Sequence, residues 1–148
     1  MPALRHFVAP AILLAASSTQ AADPVEKAVD YRQALMNVYA WNVTSMGDMA
    51  KGKMPFDAKV FARHANDLAA AAQLEFLAGF PEDSINEDSD ASDTIWLDWE
   101  TFQEKHQALR DQSVKLAEAA AGGDEGAMKE QFRAASKTCK GCHDDFKN

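Results

Sequence analysis

Apolar residues recur at alternating steps of four and three along four separate stretches of this chain, and that spacing restricts its fold more than any other feature. Such steps line up side chains on one face of an α-helix, whereas a half-buried strand alternates every second residue. The first stretch runs Val25, Val29, Met36, Tyr39, Val43, Met46 and Ala50, with Arg32 in one slot of the stripe. Asp23 is its cap, Pro24 its first helical residue, and Glu26 follows in the first turn. Gly52 and Pro55 end it. Asp57 caps a second helix bearing Phe61, Ala65, Leu68, Ala72 and Phe76, which Gly79 and Pro81 terminate. Residues 82–93 are acidic, rich in Ser and Asp and without periodicity, which predicts a solvent-exposed loop. A third helix turns Trp96, Trp99, Phe102 or Gln103, His106, Leu109, Ser113, Leu116 and Ala120 inward. Gly122-Gly123 closes it, and Asp124 caps a fourth carrying Met128, Phe132, Ala135, Cys139, Cys142 and Phe146. Short linkers make neighbours antiparallel, so the expected fold is all-α, an up-down-up-down four-helix bundle whose longest connection joins helices two and three.

The fourth stripe contains Cys139-Lys140-Gly141-Cys142-His143, and the chain has only these two cysteines. Two thiols three apart with a histidine directly after the second are the attachment signature of a c-type haem. Each cysteine adds across one porphyrin vinyl group, and the following imidazole then lies under the iron. The rivals are weaker. A redox CxxC normally opens a helix after a strand, and no strand pattern is present. A structural zinc site needs about four ligands, and no second Cys/His pair stands at finger spacing. One covalent haem c near the C-terminal end of helix four is therefore the expected cofactor.

The N-terminus supports this. Arg5 and His6 precede a short apolar run from Phe7 to Ala16 and a small-residue zone ending Ala21-Ala22. This is the pattern of a secretory signal peptide, so residues 1–22 are expected to be cleaved and 23–148 to form one domain. The run is too short for a permanent membrane anchor. An exported chain could also hold a plain Cys139–Cys142 disulfide; His143 argues against that. The formal net charge is −8. Such a surface disfavours nucleic acid and anionic lipid and favours a basic redox partner, or simply keeps an exported protein in solution; no other apolar run approaches membrane length, so no membrane insertion is expected. No Ser/His/Asp set, Gly-rich phosphate loop or metalloprotease helix motif is present, so an enzyme is not expected.

A few residues on the inward stripes are not ordinary core. Arg32 stands where an apolar residue belongs; a buried guanidinium needs partners, and a haem propionate would suit it, the alternative being a rim arginine reaching water. Met36, one turn on, offers a thioether that either ligates iron at the sixth position or covers it without bonding. His106 faces inward as a second candidate ligand or a hydrogen-bonded histidine, and His64 is the other mature histidine outside the motif. Trp96, Phe76 and Phe80 would form an aromatic wall, or plain core. Lys147, one turn after His143, is either a proximal-side cation or a solvated lysine.

Taken together, these stretches resemble the class II c-type cytochromes, the cytochrome c′ family, over essentially the whole mature chain. Tyr31 to Met36 resembles the family's first-helix motif, and Lys51-Gly52 through Pro55-Phe56-Asp57-Ala58 its first turn. Ile95-Trp96 with Phe102 resembles the start of its third helix, and Cys139 to His143 with Asp144 to Lys147 its ending. The resemblance implies Cys139 and Cys142 as thioether sites, His143 as proximal ligand, Arg32 near a propionate and Met36 at the distal position. It also implies a homodimer through the first two helices, as in many members. Members with a nonbonding distal residue are five-coordinate and bind NO and CO; members with a methionine ligand are low-spin electron carriers. Met36 fits either branch. The acidic loop lacks the Gly/Pro-rich character of many high-spin members and leans to the second, and Lys147 stands where many have arginine. The expected function is periplasmic electron transfer with a redox partner protein; the alternative is capture of NO or CO.

Overall fold

Asp23 accepts a hydrogen bond from the Val25 amide at 2.8 Å, and α1 runs Pro24–Ala50. The computed structural model describes residues 23–148; the expected signal peptide, 1–22, lies outside the described residues. Gly52 has φ +70, the left-handed turn that stops α1. Asp57 accepts from the Lys59 and Val60 amides at 2.9 and 3.0 Å and starts α2, Ala58–Ala72.

α2 ends earlier than its stripe implied. The Gln73 and Leu74 amides bond three residues back, to Ala70 and Ala71, and this tightening ends the helix. Phe76 therefore sits in a 3₁₀ turn, Phe76–Gly79. That turn presses on α1: a Cβ on Gly79 would lie 3.0 Å from Arg32 Cβ and 3.1 Å from Tyr31 Cδ1, so glycine is the residue that fits.

The expected third helix is two. Asp98 leaves helical geometry (φ −134, ψ 58), separating α3, Thr94–Leu97, from α4, Trp99–Ala121. Its carboxylate accepts from the Thr101 amide at 3.4 Å and so caps α4. The break turns Ile95 into the core while Trp96 stays half-buried, and Phe102 rather than Gln103 points inward. Asp124 accepts from the Ala127 amide at 2.7 Å and opens α5, Glu125–Phe146. No described helix is long and apolar enough to cross a membrane.

The four long helices form an antiparallel bundle in which α1 packs on α2, α2 on α4 and α4 on α5. One end is densely packed: Met46, Met49, Phe61, Leu116 and Met128 are fully buried there. Phe61 is the hub, its ring centroid 5.3 Å from Phe56 and 6.0 Å from Phe132. α1 and α5 touch least of the neighbouring long helices. They meet where Gly47 faces Phe132, and towards the other end a cavity lies between them.

This explains a shift on α1. Ala28, Val29, Arg32, Leu35, Tyr39, Asn42, Met46, Gly47 and Met49 are its buried residues, whereas Met36, Val43 and Ala50 are half-buried. The helix has two inward edges, one against α2 and one, with Met36 and Val43, against the cavity.

Candidate haem pocket

The cavity measures about 590 Å³. α1 contributes Met36, Tyr39, Ala40 and Val43 to its wall, α4 contributes Phe102, His106 and Leu109, and the turn after α2 contributes Phe76 and Phe80. From α5 come Cys139, Cys142, His143 and Phe146. Helical spacing puts these last four on one side of α5, because steps of three, one and three stay within one face.

The two cysteines are free and half-buried. Burial pushes both thiols up from their ordinary range, so neither is poised as the thiolate that a thiol–disulfide enzyme needs. Burial, with Lys147 adding to it, holds the His143 imidazole below its usual value, in the neutral form that binds metals. Among the described residues no three His, Cys, Asp or Glu side chains gather around one ion position.

Arg32 is buried, but its partners are not carboxylates. Nη1 donates to the Gly79 carbonyl at 3.0 Å and to Ser84 Oγ at 2.9 Å; Nη2 donates to the Ser84 carbonyl at 2.7 Å and to Ser89 Oγ. The guanidinium carbon lies 4.8 Å over the Phe80 ring. Desolvation lowers the pKa of Arg32 from its usual value. Neutral oxygens of the 3₁₀ turn and of the following loop thus satisfy both terminal nitrogens of the buried guanidinium. The acidic loop is exposed along most of its length, as expected, but Ser84 and Ser92 turn inward and are buried. Arg32 still borders the cavity.

Trp96, expected against the macrocycle, is not on the cavity wall; Ile95 takes that place, and the Trp96 indole N–H donates to the Phe80 carbonyl at 3.2 Å. His64 is away from the cavity, its Nδ1 2.9 Å from Asn42 Oδ1. Lys147 borders the cavity with its Nζ 3.1 Å from an Asp90 carboxylate oxygen.

Sequence reasoning missed Lys105. Its Nζ donates to the Gly141 carbonyl at 3.0 Å, inside the CxxCH segment, and lies 2.8 Å from Asp145. The hydrogen bond to Asp145 raises its pKa. Nothing local marks that lysine, because its partners lie on another helix. Tyr39 was read only as a stripe residue; its hydroxyl donates to the Ala71 carbonyl at 3.3 Å, and burial pushes its pKa up to about 12.

His106 stacks on Phe76 with centroids 4.8 Å apart, and its Nε2 is buried without a partner. Burial, aided by Arg110, lowers its pKa. The unfolded chain therefore takes up this proton first. The stabilisation is complete above the free histidine value of about 6.5 and is lost as pH falls below it towards the folded value. In urea titrations between pH 7.5 and 5, His106→Leu should show a shallower loss of stability than the parent, by at most about 1.4 kcal/mol per pH unit for one proton. Equal slopes would contradict this.

An antiparallel helical bundle with one apolar cavity, two free thiols and an imidazole on one wall and a thioether on another has the donor set of a haem c protein. The comparisons agree. The Cytochrome C′ family model matches residues 27–147. The chain is 40% identical over 128 residues to cytochrome c′ of Halomonas halodenitrificans, covering 82% of this chain and 96% of that protein. Cytochrome c prime from Shewanella frigidimarina superposes with TM-score 0.81 at 38% identity, covering 86% of this chain and 99% of that one. A nitric oxide complex of a mutant cytochrome c prime from Alcaligenes xylosoxidans superposes with TM-score 0.75 at 32% identity, covering 84% and 96%. The chain belongs to the cytochrome c′ family of haem proteins.

Proposed function

We propose that this chain holds one haem c, thioether-linked through Cys139 and Cys142, and serves as a periplasmic electron carrier rather than an enzyme. The observation that carries this reading is that Met36 of α1 and the Cys139–His143 segment of α5 line the same cavity, from two helices that part around it. His143 is the proximal ligand and Met36 the distal one in this reading. When bound, the haem supplies one-electron chemistry between ferric and ferrous iron. The chain's part is to hold and insulate it: Phe76, Phe80, Phe102 and Phe146 make an apolar surround, and Lys105 pins the carbonyl of Gly141 within the attachment segment. Arg32 brings a positive charge to the wall with no carboxylate partner among the described residues, which supports a propionate near it. Export supports the periplasmic assignment through the leader-like N-terminus. The acidic surface favours a basic redox partner. The exposed side of α1 carries Val38 and Trp41, the latter 72% exposed, and this supports a homodimer through that helix.

A second reading is favoured by the nitric oxide complex of the Alcaligenes relative: Met36 stands beside the iron without bonding it, and NO or CO enters on its side.

Optical spectra with and without CO test the choice. The ferrous protein should be low-spin and indifferent to CO, and Met36→Leu should make it high-spin and CO-binding. The exchange nearly conserves volume and should cost under about 1.5 kcal/mol, so the bundle persists. A parent protein that is high-spin and shifts on adding CO would replace the first reading with the second.

A further inference from the structure

The two walls proposed to face each other across the haem are held together by something other than direct packing. α1 and α5 make the slightest contact of the neighbouring long helices. Residues 81–93 span them instead. On the α1 side the segment is fastened by Arg32, through both Ser84 groups and Ser89 Oγ, and by Gln33, whose Nε2 donates to the Asp88 carbonyl at 2.6 Å. On the α5 side the Ser92 amide donates to the Phe146 carbonyl at 3.0 Å and the Asn148 amide to the Asp90 carbonyl at 2.9 Å. Thr94 Oγ1 adds a bond to the Asp145 carbonyl at 3.1 Å. Between these fastenings Ser89, Asp90 and Ala91 border the cavity.

We propose that residues 81–93 are a strap that sets the width of the slot between α1 and α5, and that Arg32 is the positioning residue that holds it. This rests on the haem reading above. Arg32 thereby sets how near Met36 comes to the axial position without touching the iron. The chemistry suits a fixed strap. A planar guanidinium presents its donors in a rigid fork, and here the two terminal nitrogens meet four oxygens at once; an ammonium is a point charge that cannot reproduce the fork. The loop is rich in carboxylates, yet none lies within ion-pair distance of Arg32, so the tie depends on shape and burial rather than on net charge. Freeing Arg32 leaves a buried charge short of acceptors, so the strap should release rather than adjust.

The test uses the haem-loaded protein and two variants. Arg32→Lys keeps the charge and loses the fork; Ser84→Ala with Ser89→Ala keeps Arg32 and removes its hydroxyl acceptors. Amide hydrogen exchange should quicken by about tenfold or more at Ser92 and Asn148, whose amides join the strap to α5 and the chain end, in both, with interior amides of α2 and α4 unchanged. Both variants should also lose part of the low-spin ferrous spectrum and gain CO binding that the parent lacks. Protected strap amides in Arg32→Lys would overturn the proposal, as would a loosened strap with the parental spectrum and the parental indifference to CO. If Arg32→Lys changes the spectrum and the serine variant does not, Arg32 acts directly on the cofactor and the strap idea falls. Should Arg32→Lys not fold, the serine variant decides alone. A parent protein lacking a haem mass would remove the haem reading and the slot-width role with it, while the exchange data still judge whether Arg32 holds the strap.

Discussion

Replacing Cys139 and Cys142 together by alanine abolishes covalent haem attachment: the intact mass of the exported double variant lacks one haem, and denaturation strips all haem absorbance from the polypeptide. The two thiols are free, half-buried and on the same cavity wall, and the chain has no other cysteine. No second site can therefore take over. Each single variant keeps one thiol, so its haem remains bound through one thioether at lower yield. A haem mass on the double variant would sink the assignment of these residues. The substitutions remove little core, because Met128, Phe132, Ala135 and Phe146 are the buried residues of α5. The loss is chemical rather than a failure of the helix.

The largest effect on stability is expected at the other end of the bundle. Phe61 has no exposed surface and stands between Phe56 and Phe132. Phe61→Ala removes a ring from the core cluster that also holds Met46 and Met49 of α1, Leu116 of α4 and Met128 and Phe132 of α5. Core Phe→Ala changes cost about 3–5 kcal/mol. In a domain of this size that lowers Tm by roughly 10–20 °C. The haem spectrum of the surviving folded fraction should match the parent, because Phe61 does not border the cavity. A loss below about 1 kcal/mol would mean that the dense end is not the stabilising core described here.

What the sequence by itself determined was local. Asp23 with Pro24, Asp57 and Asp124 mark helix starts, because a carboxylate three residues or fewer ahead of an amide satisfies it wherever the chain goes. Gly52 and Gly123 mark the stops, with φ +70 and +73. The four-helix class followed from the four–three stripes, and the haem motif from spacing along one helix.

Tertiary structure decided the rest. A stripe locates the inward face of a helix only to within one residue, so it could not divide Leu35, which enters the core, from Met36, which faces the cavity. Ile95 rather than Trp96 lines the wall in a short helix that Asp98 separates from α4, a break that the four–three spacing does not reveal. Arg32 shows the limit most sharply. Its acceptors lie 47 to 57 residues away, on the 3₁₀ turn and on a loop whose composition reads as solvent-exposed. Periodicity could flag the misplaced charge, but only the folded chain supplies its partners, because hydrogen bonds between distant segments leave no spacing in the sequence. Lys105 on Gly141 is another case: one lysine among many until α4 and α5 are packed together.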